Sequence, residues 1–118
     1  MKYWKFLFAI TLVPWMISAS PKDPDCSEAW AMPMTFAQLK NAGVTNNEKI
    51  DFPKTKTTRL ASERIGKDLY RQVYYVRFTE LSGKVIEAIA VHDASQEDCS
   101  ESSVEVFVVS EHFNAERK

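Results

Sequence analysis

Residues 69–91, LYRQVYYVRFTELSGKVIEAIAV, decide the fold. From Leu69 to Leu81, Tyr70, Tyr74, Val76 and Phe78 share one side of an extended chain, while Arg71, Tyr75, Arg77 and Thr79 share the other. That alternation is the period of a strand with one buried face. Ser82-Gly83 reads as a tight two-residue hairpin turn, with the glycine supplying a positive φ. Val85–Val91 returns as the antiparallel partner, Ile86, Ala88 and Ala90 alternating with Val85, Glu87, Ile89 and Val91. Apolar residues on both of its sides mark a central strand covered at least partly on each.

Toward the C-terminus, His92–Ser103 reads as a polar loop carrying Cys99, and Val104–Ser110 as a last strand. Val104, Val106 and Val108 make one row of it, Phe107 and Val109 the other. Residues 112–118 read as a frayed tail. In the other direction, Gly66-Lys67-Asp68 has turn chemistry. It is preceded by a strand over Thr57–Ile65, with Leu60 as its one strong apolar anchor and a helical turn over Leu60–Ile65 as the alternative, and by a polar loop over Thr45–Lys56. A two-turn helix is expected over Phe36–Ala42. Thr35 is its N-cap, Gln38 completes a capping box, Met34 and Leu39 are spaced as a hydrophobic staple, and Gly43 closes it. Trp30, Met32, Met34 and Phe36 alternate and read as extended chain leading into this helix, with Trp30, Met32 and Met34 as the lid of the core. The sum is an α+β domain, one short N-terminal helix packed on a three- to four-stranded antiparallel sheet.

Residues 1–20, MKYWKFLFAITLVPWMISAS, have a different character. Lys2 and Lys5 flank the start of an apolar run, Phe6–Ile17, and Ser18, Ala19 and Ser20 follow. This is the pattern of a secretory signal peptide. The run falls well short of the ~20 apolar residues of a membrane span, and Pro14 argues against a lasting helical anchor. Cleavage after Ala19 makes residues 1–19 the signal and 20–118 a single domain. A cut after Ser20 would leave Pro21 at the new N-terminus. The whole chain has 15 basic and 16 acidic residues and a net charge of −1, and losing Lys2 and Lys5 makes it more acidic. That balance, with no basic tract, disfavours nucleic acid as a partner. No polybasic or amphipathic segment suggests stable membrane insertion after cleavage.

Both cysteines, Cys26 and Cys99, lie beyond the signal. In an oxidising compartment an isolated pair is most simply one disulfide. The alternatives are a reactive thiol or a metal ligand, but there is no CxxC and no histidine near Cys26.

Catalytic signatures are sparse. The three glycines, Gly43, Gly66 and Gly83, are scattered and each is explained by a turn, so no phosphate-cradling loop is formed; HExxH and GxSxG do not occur. His92-Asp93 is the most suggestive pair for acid–base work, yet neighbours on an extended chain point apart, and a solvent-exposed strand terminus is the plainer reading. Asp93, Glu97, Asp98 and Glu101 form an acidic loop without the spacing of an EF-hand, so no metal or other cofactor is expected. Arg71, Tyr75 and Arg77 are the candidate partner-binding residues. With Arg59, Arg64 and Lys67 nearby they would make a cationic sheet face suited to an acidic partner, the plainer reading being a solvated face interleaved with Glu63 and Glu80.

The stretch Cys26–Phe113, and above all DFPKTKTTRLASERIGKDLYRQVYYVRF with DCSESSVEVFVVS, resembles a group of small exported bacterial proteins of unknown function, some carried on mobile elements. The resemblance implies export and a single domain, and assigns no residue a role. In size, disulfide count and layout the chain is also similar to periplasmic inhibitor and immunity proteins, a likeness of architecture only. The expectation is a periplasmic or secreted non-enzymatic binding protein whose partner is another protein, such as a toxin or hydrolase that it neutralises. The alternatives are a small-ligand carrier with a pocket between helix and sheet, and a small hydrolase-type enzyme using His92.

Overall fold

A computed structural model describes residues 22–109 of the chain. The signal segment 1–19, the start of the domain at residue 20 and the tail 112–118 lie outside the described residues. A π-helical turn, Ser27–Ala31, runs into helix α1, Met32–Asn41. A 3₁₀ turn, Phe52–Lys54, precedes four strands: β1, Lys56–Gly66; β2, Leu69–Thr79; β3, Val85–Ala94; and β4, Glu105–Val108. The sheet is an antiparallel meander in the order β1-β2-β3-β4; short turns join its first three strands, and the loop 95–104 leads into the fourth. The fold is α+β, with the helical segment on one face of the sheet.

The helix starts a full two turns earlier than expected, so the extended reading of Trp30–Phe36 is overturned. Asp25 Oδ1 accepts the Ser27 N–H (3.0 Å) and hydroxyl (2.8 Å) just ahead of the first turn. The Cys26 carbonyl then accepts from both Trp30 N (3.0 Å) and Ala31 N (2.7 Å), which widens the turn. Pro33 has no N–H and its ring would press on the carbonyl four residues back; the widened turn sits directly before it, where that break is absorbed. Thr35 is therefore a buried interior residue and not a cap. Gln38 closes no capping box; its side-chain amide donates to the Val104 carbonyl. Gly43, at φ +76°, ends the helix as expected.

Seen as a helix, the apolar residues sort by columns of four. Trp30 and Met34 pack on a cluster of Cys26, Ala31, Tyr74, Ala90, Ala94 and Val104. Met32 and Phe36 pack on Leu39, Ile50, Val76, Phe78 and Ile86. Val106 touches both clusters and joins them. Tyr74 and Val76 on the inner face of β2 meet the small Ala90 and Ala88 on β3, while Phe78 lies beside Ile86. The alanines leave the room that the helix and disulfide fill. Trp30, Met32 and Met34 thus do form a lid over the core, though a helical one.

Cys26 and Cys99 are bonded, with Cα atoms 5.7 Å apart. A buried hydrogen-bond chain reinforces this closure. Tyr74 Oη accepts the Cys26 N–H (2.8 Å) and donates to Gln72 Oε1 (2.7 Å), while Gln72 Nε2 donates to the Pro24 carbonyl (2.6 Å) and Ser62 Oγ (3.0 Å). Such groups are costly to bury unless each finds a partner, and here the chain satisfies them in series.

Two further expectations change. Leu60 is no anchor: it falls in a register shift between Arg59 and Ala61 and is 56% exposed. The β2–β3 turn holds three residues, not two, because Glu80 N donates to Lys84 O (2.7 Å) and Gly83 N to Glu80 O (2.8 Å). Gly83 nonetheless supplies the left-handed residue, at φ +96°.

Candidate binding face

The helix covers one face of the sheet; among the described residues no element covers the other. Beyond the hairpin-end pair of Thr79 and Val85, the register lays this open face out in four rows. Glu63, Arg71 and Asp93 make the first. Ala61, Val73, Val91 and Glu105 make the second, and Thr58, Tyr75, Ile89 and Phe107 the third. Lys56, Arg77 and Glu87 make the fourth. Two largely apolar rows are thus bracketed by two charged ones. Val73, Tyr75, Ile89 and Val91 are half-buried by their neighbours, and Phe107 stands out at 54% exposed.

Arg71, Tyr75 and Arg77 are brought together on this face, since they alternate with the buried Gln72, Tyr74, Val76 and Phe78. Each arginine lies opposite an acid. Arg71 grips Asp93 with both ends of its fork, Nε to Oδ1 at 3.0 Å and Nη2 to Oδ2 at 3.3 Å. This contact, first by hydrogen bond and then by charge, holds the guanidinium above its ordinary range. The Tyr75 hydroxyl donates to the Glu87 carboxylate. Burial, followed by this hydrogen bond and the Glu87 charge, pushes the Tyr75 phenol up.

The face is therefore not cationic, and that expectation is corrected. Register sends Arg59 and Arg64 to the other side of β1, opposite Tyr74 and Tyr70. Arg59 donates to the Pro24 carbonyl (2.8 Å), and Arg64 curls onto the Gly66 and Lys67 carbonyls. Glu80 is likewise on the inner side, buried and accepting the Thr45 hydroxyl (3.0 Å). What remains on the open face is Lys56, Arg71 and Arg77 set against Glu63, Glu87, Asp93 and Glu105, a mixed pattern. At one corner a hollow of about 440 Å³ is lined by Arg71, Asp93, Ser102 and Glu105, among others.

His92 and Asp93 do point apart, but the strand runs on to Ala94, so His92 is no exposed terminus. It is 2% exposed on the inner face, and its ring stacks on Tyr74 with centroids 5.5 Å apart and planes 11° from parallel. Nδ1 lies 3.2 Å from the Asp93 carbonyl, and Nε2 has no hydrogen-bond partner among the described residues. In the loop, Asp98 turns its carboxylate onto the Ser100 N–H (2.8 Å) and hydroxyl (2.6 Å). The hydroxyl contact first, then the N–H, holds it below the usual carboxylate range. Between helix and sheet, the place of the alternative ligand pocket, Phe36, Leu39, Val76, Phe78 and Ile86 pack together. No protein-family model matches the chain, and no curated protein or solved structure does so at a significant level.

Proposed function

We propose that this chain is an exported, non-enzymatic binding protein that holds another protein, such as a toxin or a hydrolase, against the open face of its sheet. Arg71, Tyr75 and Arg77 are its principal contacts. The observation that carries this reading is the layout of the open face, an apolar band of Val73, Tyr75, Val91, Ile89 and Phe107 between two charged rows. An apolar centre with a polar rim is the anatomy of a protein interface. Tyrosine and arginine are the residue types most enriched among the side chains that carry interface energy. Because the rim holds both signs, the partner's surface is also mixed, acids meeting Arg71 and Arg77, and bases meeting Glu87, Asp93 and Glu105.

The side chains best suited to catalysis are engaged in the fold. The two cysteines are joined, His92 is stacked inside on Tyr74, and Asp93 is held by Arg71. The disulfide and the N-terminal apolar run both support an oxidising, exported location. Periplasmic or culture extract passed over the immobilised oxidised protein tests the proposal. The expected result is retention of a specific protein that Arg71→Glu/Arg77→Glu fails to retain while still folded, its melting temperature lowered only modestly by the like charges now set opposite Asp93 and Glu87. No retained protein, or equal retention by the double variant, would refute it.

A further inference from the structure

The two edges of the sheet differ. β1 breaks register between Arg59 and Ala61 and again between Arg64 and Gly66, and it carries Lys56, Arg59, Glu63 and Arg64. Bulges and charges of this kind discourage the addition of another strand. β4 has neither defence along most of its length. It pairs without interruption from Val91↔Glu105 to Ala88↔Val108, and Phe107, Val108 and the following Val109 are 54%, 47% and 37% exposed. Val109 N donates to Glu87 O (2.9 Å). In an antiparallel ladder residues 105, 107 and 109 therefore direct their main-chain groups to β3, and Val106 and Val108 direct theirs outward. The Val104 carbonyl is already taken by Gln38, which closes the open edge at that end.

We propose that this edge is a self-association site, where a second copy of the chain adds its own β4 antiparallel and joins two four-stranded sheets into one. A two-fold axis perpendicular to the sheet keeps like faces together, so only registers that pair residues of the same face are open. One of these sets Phe107 opposite Phe107 of the second copy. It pairs each Val106 with the other copy's Val108, satisfying the outward groups of both, and sets Glu105 opposite Val109. Centring on Val106 would instead turn Val108 toward the blocked Val104 carbonyl. Centring on Glu105 would oppose like charges, and centring on Val108 would carry Val106 beyond β4. β4 itself carries no cation, and among the described residues only Lys84 comes near its far end, so an apolar, self-complementary strand suits it better than an acidic segment. The second copy's β4 is such a strand.

Sedimentation velocity of the oxidised protein from micromolar to millimolar concentration tests this, with a concentration-dependent monomer–dimer equilibrium as the expected result. Val108→Pro removes an outward N–H and leaves the bonds to β3 intact, a position where an edge strand tolerates proline; self-association should weaken by more than an order of magnitude. Phe107→Cys adds a second readout. Opposed residues at a non-hydrogen-bonded site lie about 4.5 Å apart, within disulfide reach, so mild oxidation should trap a covalent dimer. Glu105→Cys should not be trapped, its copy lying about 13 Å away along the strand. Should Val108→Pro fail to fold, the cysteine pair decides alone. A monomer at every concentration overturns the proposal. So does a dimer that Phe107→Cys traps no better than Glu105→Cys. The open-face proposal stands apart from this one, since Arg71→Glu/Arg77→Glu should leave the dimer intact.

Discussion

The inner and outer faces of the sheet are built from the same strands and differ in what completes them. Inside, every large side chain of β2 has a partner within the chain: Tyr74 holds the Cys26 amide and Gln72, and Phe78 meets Phe36 at a centroid distance of 6.0 Å. Outside, the pairs run only along the sheet, Arg71 to Asp93 and Tyr75 to Glu87, and nothing among the described residues lies above them. Burial drives folding in proportion to the apolar area removed from water. The inner face consequently carries the stability of the domain, and the outer face is free to be specified for contact. Substitutions should separate the two, stability moving with the inside and recognition with the outside.

The largest expected effect is on the closure of the inner layer. Cys26→Ser/Cys99→Ser opens a loop of 73 residues, and the chain-entropy estimate of the loss is about 4 kcal/mol. Against a total stability of ~5–15 kcal/mol this should lower the urea midpoint steeply. A shift too small to measure would mean that the hydrogen bonds of Tyr74 and Gln72 suffice to hold residues 22–26. Leu39→Ala comes next. The side chain is 2% exposed between helix and sheet, and its removal should cost about 3 kcal/mol. Ile89→Ala, on the outer face, should cost less than ~1 kcal/mol, since half-buried surface returns little on truncation. If Ile89→Ala proved as costly as Leu39→Ala, the outer face would be covered after all, and the division would fail.

Much of this arrangement is legible in the residues themselves, and what is not has identifiable causes. The alternation in Leu69–Thr79 is strict, so the strand, its two faces and the grouping of Arg71, Tyr75 and Arg77 follow from the pattern alone. The acids opposite those arginines do not, because they depend on turn length. A two-residue turn at Ser82-Gly83 would set Arg77 opposite Ala88 and Arg71 opposite Ala94. The third turn residue, Leu81, shifts the register by one and brings Glu87 and Asp93 into place, and a one-residue shift exchanges faces. The helix start was hidden by an ambiguity of spacing. Trp30, Met32, Met34 and Phe36 lie two apart, as in a strand, yet Trp30 with Met34 and Met32 with Phe36 are also four apart, as in a helix. Pro33 made the strand reading easier, while Asp25 followed by Ser27 was the available sign of an earlier start. His92 reads as exposed only when the strand stops at Val91, and β3 continues to Ala94. The small-residue row Ala88, Ala90, Ala94 runs straight through it.

Tyr74 and Tyr75 give the finest test, as adjacent phenols on opposite faces. Tyr74→Phe leaves the Cys26 N–H and Gln72 Oε1 without their shared partner inside the protein, and should cost ~1–3 kcal/mol at neutral pH. Tyr75→Phe loses only a contact at the rim, and should stay within ~0.5 kcal/mol. In alkali both matter in the same direction. Burial raises each phenol above the ordinary ~10 of an unfolded tyrosine. A raised group binds its proton more tightly when folded, so its contribution is complete below pH ~10 and is lost as pH climbs through the folded value. Stability measured against pH should therefore fall in the alkaline limb, and each Tyr→Phe should flatten part of that fall. The two differ in what besides burial sets them. At Tyr74 the Cys26 N–H pulls the phenol back down, whereas at Tyr75 the Glu87 carboxylate pushes it further up. Glu87→Gln should accordingly move one late-titrating phenol toward lower pH in a spectrophotometric titration, and leave the other in place. If both moved together, the two faces would be electrically coupled through the sheet. If neither moved, burial alone would set Tyr75, and Glu87 would be no part of the rim's hold on it.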